Sequence, residues 1–240
     1  MRIAVLSDLH GNYQATKAIL DDINKESFDK VICLGDIIGI GPKPKETLEL
    51  VLNSGIDIIL GNHDLYYIHG IGIDSDITKP NEIAHHKWVH ETIEKYIPRE
   101  RLDYPLFEEL NIDGKVFRFE HYMLKYVMDS DPYPYLEIGI KNMKDLEDYC
   151  SKMPYDYMFV GHEHRGFNVC ENNKHLICVG SSGCVSGNKT FYTIINTSNN
   201  NVSITKKEIE FDRESFIEDL KSFDYPDRDF ICKYLFGIEL

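Results

Sequence analysis

The stretch RIAVLSDLHGN, from Arg2 to Asn12, joins a run of apolar residues to a short polar turn. The apolar part has the length and composition of a buried strand. The polar part places Asp8 and His10 directly after that strand, and Gly11 marks a turn. Since Asp and His side chains are common metal ligands, the end of this strand is the first candidate part of a functional site.

The same succession of features recurs along the first quarter of the chain. A helical pattern follows the first turn, with one face formed by Ala15, Ala18, Ile19 and Ile23. DKVICLGD and IDIILGNHD are two further buried strands that end in polar turns, and KETLELVLN between them has a helical pattern. Strands that alternate with helices in this way predict a parallel sheet.

The remainder of the chain is less regular. Residues 65–105 are rich in His and aromatic side chains and hold one predicted helix, NEIAHHKWVHETIEKYI, with an apolar face of Val89, Ile93, Tyr96 and Ile97. Further strands are predicted in KVFRFEH, YMFVGHEH, HLICVGSSG, TFYTIINT and NVSITKKEIEF, a helix in DLEDYC, a hairpin turn at SNNN and two short helices around Pro226. We predict a single domain over residues 1–240, with a helical cap-like insertion around 65–105 and a C-terminal helical tail at 212–240.

Composition and charge narrow the class of protein. The chain has 240 residues, 42% hydrophobic and 28% charged, which is typical of a soluble globular protein. Its formal net charge of −14 disfavours non-specific binding to nucleic acids. No run reaches the ~20 apolar residues of a membrane helix, and the N-terminal run is too short for a signal peptide. Six cysteines without a CxxC pair predict reduced, structural thiols and a cytoplasmic location.

Five predicted strands end in turns that carry metal-ligand residue types. In open α/β sheets ligands bind beyond the carboxyl ends of the strands, so these side chains are expected to converge. Taken singly, each has a structural interpretation, because Asp and Asn are common in turns and at helix N-caps. Their joint occurrence at five strand ends favours a metal site over five unrelated turns. The residues are Asp8 and His10; Asp36; Asn62, His63 and Asp64; His121; and His162 with His164.

The donor set suggests the chemistry. Carboxylates and imidazoles together suit Zn²⁺, Mn²⁺, Fe or Co, and Asp36 can bridge two ions through its two oxygens. Two divalent ions would bring four positive charges, and the carboxylates of Asp8 and Asp36 would neutralise two of them. The predicted site is therefore locally positive within an acidic protein and attracts phosphate groups. Histidines without such a setting are interpreted as surface or packing residues: His69, His85, His86, His90 and His175.

The motifs DLHGN, GDIIGIGP, GNHD, a later strand-end His and GHEH resemble, in this order and spacing, those of the calcineurin-like metallophosphoesterases. The resemblance runs from Arg2 to about Phe211 and is greatest with small prokaryotic phosphoesterases that have a GDxxGxGP motif. GSSG at Gly180–Gly183 is similar to the Gly-Ser-x-Gly that follows GHxH in that branch. The resemblance implies an α/β fold, a two-sheet β-sandwich flanked by helices in four layers, αββα.

The resemblance also implies roles for individual residues. The first metal ion would be held by Asp8, His10 and His164, and the second by Asn62, His121 and His162, with Asp36 as the bridge. His63 would be the catalytic histidine. Separately from the resemblance, we predict that the adjacent Asp64 orients His63 and that Asn12, Gly35 and Gly61 bind the substrate. The cofactors would be two divalent transition-metal ions, manganese first, with Fe, Zn, Co or Ni as alternatives.

Three departures from the family pattern bear on function. After Asp36, the protein-phosphatase branch has Asp-Arg-Gly at the third to fifth positions, where this chain has Gly39, Ile40 and Gly41. The phosphate-clamping arginine of that branch is therefore absent. The other departures are Tyr122 in place of a common Gly and Glu163 in place of a common Thr.

These observations predict a metal-dependent phosphoesterase. It would hydrolyse phosphodiester or phosphomonoester bonds by attack of a metal-activated hydroxide, with a small phosphoester as substrate and no membrane partner. Two alternatives stay open, a nuclease and a non-catalytic binding module on the same fold. The sequence also leaves open whether the chain forms a homo-oligomer.

Overall fold

The computed structural model describes residues 1–71, 79–126, 135–137 and 142–239. Residues 72–78 of the predicted cap-like insertion lie outside the described residues. Within them the strands are β1 (Arg2–Leu6), β2 (Lys30–Cys33), β3 (Asp57–Ile58), β4 (Phe107–Ile112), β5 (Lys115–Glu120), β6 (Leu124–Tyr126), β7 (Tyr135–Glu137), β8 (Tyr157–Val160), β9 (Phe167–Glu171), β10 (Lys174–Cys178), β11 (Lys189–Ser198) and β12 (Asn201–Glu210). The helices are α1 (Tyr13–Ile23), α2 (Pro44–Leu52), α3 (Asn62–His69), α4 (Pro80–Glu94), α5 (Met143–Lys152), α6 (Arg213–Ser222) and α7 (Arg228–Leu235).

Ten of these strands form two mixed sheets of five. The first has the order β12-β11-β1-β2-β3. In it β1, β2 and β3 are parallel to one another, and β11 is antiparallel to both of its neighbours, β1 and β12. The second has the order β4-β5-β8-β10-β9, in which β5, β8 and β10 are parallel. Each sheet therefore has parallel strands at its centre, and their carboxyl ends are available to build a site.

The main core lies between the two sheets. Ile3, Val5 and Ile32 of the first sheet pack against Phe117 and Phe159 of the second, and all five are fully buried. The outer face of the first sheet packs against α1, α2 and α4, and that of the second packs against α5. This arrangement confirms the predicted four-layer sandwich flanked by helices.

Local sequence explains several elements. Asn12 caps α1, because its side-chain oxygen accepts a hydrogen bond from the N–H of Ala15 at 3.1 Å. The predicted hairpin turn at SNNN is confirmed between β11 and β12. Asn199 and Asn200 both take positive φ there, as a tight hairpin turn requires.

Three features differ from the sequence-based expectation. GNHD was predicted as a polar turn, but Asn62 and His63 form the first turn of α3, and the strand before it has only two residues. The helix begins there because Gly61, with an extended backbone, is the N-cap residue. The N–H of Gly61 donates to Oδ2 of Asp64 in the first turn, at 3.0 Å. Tyr96 lies beyond the end of α4 and is 62% exposed, so it is not part of the apolar face.

The C-terminal helices pack on the same layer as α1. Phe216 of α6 and Phe236 after α7 are buried in a cluster that includes Ala15 of α1. The ring of Trp88 on α4 stacks on Tyr225, with centroids 5.0 Å apart, and joins the insertion to the tail. Among the described residues, none of the helices has the length and hydropathy needed to cross a membrane.

Candidate metal centre

The predicted site residues converge at one edge of the sandwich. They follow the carboxyl ends of β1, β2, β5 and β8, or begin α3 directly after β3. Parallel strands at the centre of both sheets bring these ends together, as the sequence predicts. The residues at this edge are Asp8, His10, Asp36, Asn62, His63, His121, His162 and His164.

Four of these residues adopt an unusual backbone conformation. The φ angles are 53° at Asp8, 46° at His10, 50° at Asp36 and 66° at His162. Positive φ is uncommon outside glycine and costs free energy, so it persists where the surrounding structure imposes it, often at functional sites. The turn conformation aims these side chains into the shared edge.

One group of donor atoms surrounds His10. Its Nε2 lies 2.9 Å from Nε2 of His164, 3.8 Å from Oδ1 of Asp8 and 3.7 Å from Oδ2 of Asp36. The same Asp8 oxygen lies 3.6 Å from Nε2 of His164. These separations suit ligands of a single ion, because two ligands on one ion lie at most about 4.4 Å apart.

A second group surrounds Asn62. Its Oδ1 lies 3.0 Å from Nε2 of His121 and 3.1 Å from Nδ1 of His162. Nε2 of His121 lies 3.2 Å from Oδ2 of Asp36. One oxygen of Asp36 therefore faces both groups, while its Oδ1 accepts a hydrogen bond from the N–H of His63 at 2.8 Å.

The hydrogen bonds of two histidines fix which nitrogen faces the site. Nδ1 of His121 donates to the carbonyl oxygen of Leu34 at 2.7 Å, and Nδ1 of His10 donates to that of Ile38 at 3.2 Å. With the proton held at Nδ1, the lone pair of Nε2 points into the cluster. This is the orientation that a metal-binding histidine takes when a carbonyl holds its other nitrogen.

The buried carboxylates of the cluster, Asp8 and Asp36, create a site that favours cations. Burial raises the pKa of Asp8 to about 6 and that of Asp36 to about 7, and burial lowers the pKa of His10 well below its ordinary value. Among the described residues, no Lys or Arg forms an ion pair with either carboxylate. Buried carboxylates beside neutral imidazoles lack compensating charge, and divalent cations supply it.

His63 differs from the other histidines of the site. Its Nε2 lies 4.0 Å from Oδ2 of Asp36, but its Nδ1 is buried and has no hydrogen-bond partner among the described residues. A Cβ at Gly39 would lie 2.4 Å from that nitrogen, so a side chain at this position would displace the ring. Ligand atoms of His10, Asp36 and His63 also lie close enough to one another to hold an ion.

Asp64 is turned away from the ring of His63 and toward the backbone. Its carboxylate accepts hydrogen bonds from the N–H groups of Asp36 at 2.8 Å, Ile37 at 3.1 Å and Gly61 at 3.0 Å. The side chain is fully buried. These contacts favour a role in holding two strand-end turns together over the predicted role as a partner of His63.

The three predicted substrate-binding residues also have structural contacts. Asn12 is fully buried, and its amide nitrogen donates to the carbonyl oxygen of Gly183 at 2.8 Å while its oxygen caps α1. A Cβ at Gly35 would lie 2.3 Å from the nitrogen of Gly61, and one at Gly61 would lie 2.2 Å from Oδ1 of Asp36. The two glycines allow adjacent turns to touch, and nothing in these contacts indicates a substrate.

Two residues near the site were not predicted as functional. His86 of α4 stacks on His63, with ring centroids 4.9 Å apart, and the Cys184 thiol lies near His10 and His164. Both are distant in sequence from the motifs they approach.

Two of the departures from the family pattern have different settings. The ring centroid of Tyr122 lies 5.3 Å from that of His121 and 5.5 Å from that of His162, so Tyr122 borders the site. Glu163, in contrast, is exposed.

Comparisons with known proteins agree with the predicted family and fold. The sequence pattern of the calcineurin-like phosphoesterase superfamily domain matches residues 1–200. An uncharacterised protein of Methanocaldococcus jannaschii is 31% identical over 229 residues, which cover 87% of this chain and 88% of that protein. A symmetrical bis(5'-nucleosyl)-tetraphosphatase of Psychromonas ingrahamii is 40% identical over 81 residues, 32% of this chain and 29% of that enzyme.

A solved structure extends the comparison to the fold. The metallophosphoesterase from Sphaerobacter thermophilus is 22% identical and superposes with a TM-score of 0.67, covering 92% of this chain and 93% of that one. At this identity the likeness concerns the fold alone. The family match over residues 1–200 identifies the chain as a member of the calcineurin-like phosphoesterase superfamily and a phosphoesterase hydrolase.

Proposed function

We propose that the protein is a dinuclear-metal phosphoesterase that hydrolyses small phosphoesters. One observation carries the proposal. Oδ2 of Asp36 lies between two groups of donor atoms, 3.7 Å from Nε2 of His10 and 3.2 Å from Nε2 of His121. Asp8, His10 and His164 would hold one divalent ion, Asn62, His121 and His162 would hold the other, and Asp36 would bridge them.

The two ions would lower the pKa of a water molecule, which attacks phosphorus, and neutralise the charge of the phosphoryl group. The chain's own residues define the open side of the site. Asp8, His10 and Asp36 are buried, whereas Asn62 and His63 at the start of α3 and the two histidines of the turn after β8 are partly exposed. The substrate therefore approaches between the first turn of α3 and the turn after β8.

His63 acts as a proton or hydrogen-bond donor rather than as a metal ligand. His10 and His121 each hold their Nδ1 proton on a backbone carbonyl, but Nδ1 of His63 meets no such acceptor among the described residues. The tautomer with the proton on Nε2 is then favoured, because it leaves only a lone pair buried at Nδ1. That N–H faces the site near Asp36 and can donate to the leaving oxygen.

The substrate class follows from what flanks the bridging aspartate. Gly39, Ile40 and Gly41 offer no guanidinium to clamp a phosphate dianion bidentately. A phosphodiester carries one negative charge on its phosphate and needs that clamp less. The partial match to bis(5'-nucleosyl)-tetraphosphatases adds dinucleoside polyphosphates to the substrates worth testing.

The helical insertion contributes a wall of the site. His86 of α4 stacks on His63 and contacts Tyr66, whose ring centroid lies 5.4 Å away. Val89 and Ile93 of the same helix are buried in the core of the first sheet. These contacts support a single domain over residues 1–240 in which the segment around 65–105 flanks the catalytic histidine. A cytoplasmic location stays a prediction.

A substrate panel tests the proposal. The protein is stripped with a chelator, reloaded separately with Mn²⁺, Zn²⁺, Fe²⁺, Co²⁺ or Ni²⁺, and assayed on bis-p-nitrophenyl phosphate, p-nitrophenyl phosphate, a phosphoserine peptide and a dinucleoside tetraphosphate. We expect about two ions per chain, no turnover without metal, and faster turnover of the diester than of the phosphoserine peptide. Preferential turnover of the peptide would contradict the substrate class.

The same assay separates the two alternatives. Cleavage of single- or double-stranded DNA or RNA at rates above those for small diesters would indicate a nuclease. Metal binding without turnover of any phosphoester in the panel would indicate a binding module on this fold.

A further inference from the structure

The Cys184 thiol lies at the edge of the candidate metal centre. Its Sγ and a ring nitrogen each of His10 and His164 lie within 4.8 Å of one another. The sequence analysis predicts only a structural role for this thiol. The structure instead places a sulfur donor beside a site otherwise built from oxygen and nitrogen donors.

Hydrogen bonds fix the backbone of Cys184 relative to the site. The N–H of Cys184 donates to Oγ of Ser181 at 2.8 Å, and that hydroxyl donates to the carbonyl oxygen of Asp8 at 2.7 Å. The N–H of Gly183 donates to the same carbonyl at 3.0 Å. A Cβ at Gly183 would lie 1.9 Å from the carbonyl oxygen of Leu9, so the two turns pack in direct contact. The turn that carries Cys184 and the turn that carries His10 therefore form one unit.

We propose that Cys184 is an additional ligand of the ion held by His10 and His164. The inference rests on the proposed metal centre and adds a donor to it. At the tetrahedral angle of zinc sites, a zinc–sulfur bond of about 2.3 Å and a zinc–nitrogen bond of about 2.1 Å place the two ligand atoms about 3.6 Å apart. The sulfur lies within 4.8 Å of each ring nitrogen, so a side-chain shift of at most about 1.2 Å brings it to that separation.

A sulfur ligand changes which ion the site prefers. Thiolates select borderline-soft ions such as Zn²⁺, Co²⁺ and Fe²⁺, whereas sites of oxygen and nitrogen also accept Mn²⁺. Cys184 thus shifts the first position away from manganese, the ion that the family resemblance puts first. The second group of ligands, around Asn62, His121 and His162, holds no thiol within its cluster among the described residues.

Two other cysteines have settings that differ from that of Cys184, and one of them provides the control. Cys178 is buried, and its thiol donates to the carbonyl oxygens of Gly161 and Glu163 at 3.1 and 3.2 Å. Cys170 is exposed on β9. A Cys170→Ser variant removes a thiol without touching the site.

Cobalt spectroscopy tests the proposal on the full chain. The stripped protein is titrated with Co²⁺, and its absorption spectrum is recorded for wild type, Cys184→Ser and Cys170→Ser. We expect a thiolate-to-cobalt charge-transfer band in the near ultraviolet for wild type and Cys170→Ser. The band should be lost in Cys184→Ser, while the visible ligand-field bands of bound cobalt remain.

X-ray absorption of the zinc-loaded wild type tests for a sulfur ligand even if Cys184→Ser fails to fold. A sulfur scatterer at about 2.3 Å from zinc supports the proposal, and a spectrum with only nitrogen and oxygen scatterers overturns it. Retention of the charge-transfer band in Cys184→Ser also overturns it. Failure of the wild type to bind cobalt or zinc at all would instead overturn the metal centre itself, so the two proposals fail in distinguishable ways.

Discussion

The carboxylate of Asp64 accepts a hydrogen bond from the backbone N–H of Asp36, with Oδ2 2.8 Å from that nitrogen. The same carboxylate accepts from Ile37 and from Gly61. Asp64 thus connects the turn after β2, which carries the proposed bridging ligand Asp36, to the start of α3. Burial, followed by the charge of Asp36, raises the pKa of Asp64 to about 7.

Replacing Asp64 by Asn should weaken metal binding without removing a ligand. The amide keeps one acceptor but turns an NH2 group toward a backbone N–H, which leaves a buried donor unpaired and costs about 1–3 kcal/mol of unfolding free energy. Loss of a partner that orients a ligand typically lowers metal affinity about 10–100-fold. Metal titration and thermal unfolding of Asp64→Asn check both effects. Unchanged affinity would show that Asp64 does not position Asp36.

Replacing Asp36 by Ala should have a larger effect on metal content. A bridging ligand serves both ions, so we expect near-complete loss of one or both in Asp36→Ala. Elemental analysis of the purified protein measures this directly. Asp21→Ala, which removes an exposed carboxylate of α1, is the control and should keep both ions. Full metal content in Asp36→Ala would refute the bridging assignment.

The sequence predicts the site better than it predicts the elements that carry it. Asp8, His10 and His162 are recognisable because each directly follows a run of apolar residues in a parallel sheet. α3 is not recognisable in the same way. Its first turn, NHD, is polar, and its N-cap is Gly61, which has no side chain to cap the helix and whose N–H donates to the Asp64 carboxylate.

Contacts made across the chain were beyond sequence reasoning. β4 and β9 have weak alternation, since charged or polar residues interrupt FEELNI and FNVCE, and they form by pairing with β5 and β10. His86 reaches His63 because α4 folds over the first turn of α3. Periodicity along α4 could place the His86 ring on a helix but not against His63.

Replacing His63 by Ala should slow the reaction while both ions stay bound. Loss of a general acid typically lowers the rate about 10²–10⁴-fold, or roughly 3–5 kcal/mol of barrier. The loss should be smaller for p-nitrophenyl esters, whose leaving group needs little protonation, than for alkyl esters. Metal content and rates are measured on one preparation, with His69→Ala at the exposed end of the same helix as control. Lost metal would make His63 a ligand, and unchanged rates on alkyl esters would remove its catalytic role.

Replacing Gly39 by Ala should disturb His63 specifically. Gly39 has φ of +94°, and the added Cβ would lie 2.4 Å from Nδ1 of His63. We expect both ions to stay bound, a lower kcat, and a loss of about 1–3 kcal/mol in unfolding free energy from the backbone conformation. Gly55→Ala is the matched control, because Gly55 has φ of +74° and its Cβ would meet nothing within 4 Å. Equal effects of the two substitutions on kcat would show that contact with His63 is irrelevant to the rate.

Replacing His85 by Phe should flatten the dependence of stability on pH. His85 is buried on α4, where its Nδ1 donates to the carbonyl oxygen of Pro226 at 3.1 Å, and burial lowers its pKa from 6.5 to about 4. Between these two values the unfolded chain binds a proton that the folded chain excludes. The stabilisation that depends on neutral His85 is therefore fully present above pH 6.5 and is lost as the pH decreases toward 4. One such proton changes the unfolding free energy by up to about 1.4 kcal/mol per pH unit.

The variant cannot bind that proton in either state, so its slope between pH 4 and 6.5 should be smaller than that of the wild type. Denaturant unfolding across this range measures both slopes on the same metal-stripped protein, which keeps metal loss at low pH out of the comparison. The lost hydrogen bond to Pro226 lowers stability at every pH and leaves the slope unchanged, so it serves as an internal control. Identical slopes for the two proteins would show that His85 is not held neutral by its burial between α4 and the tail.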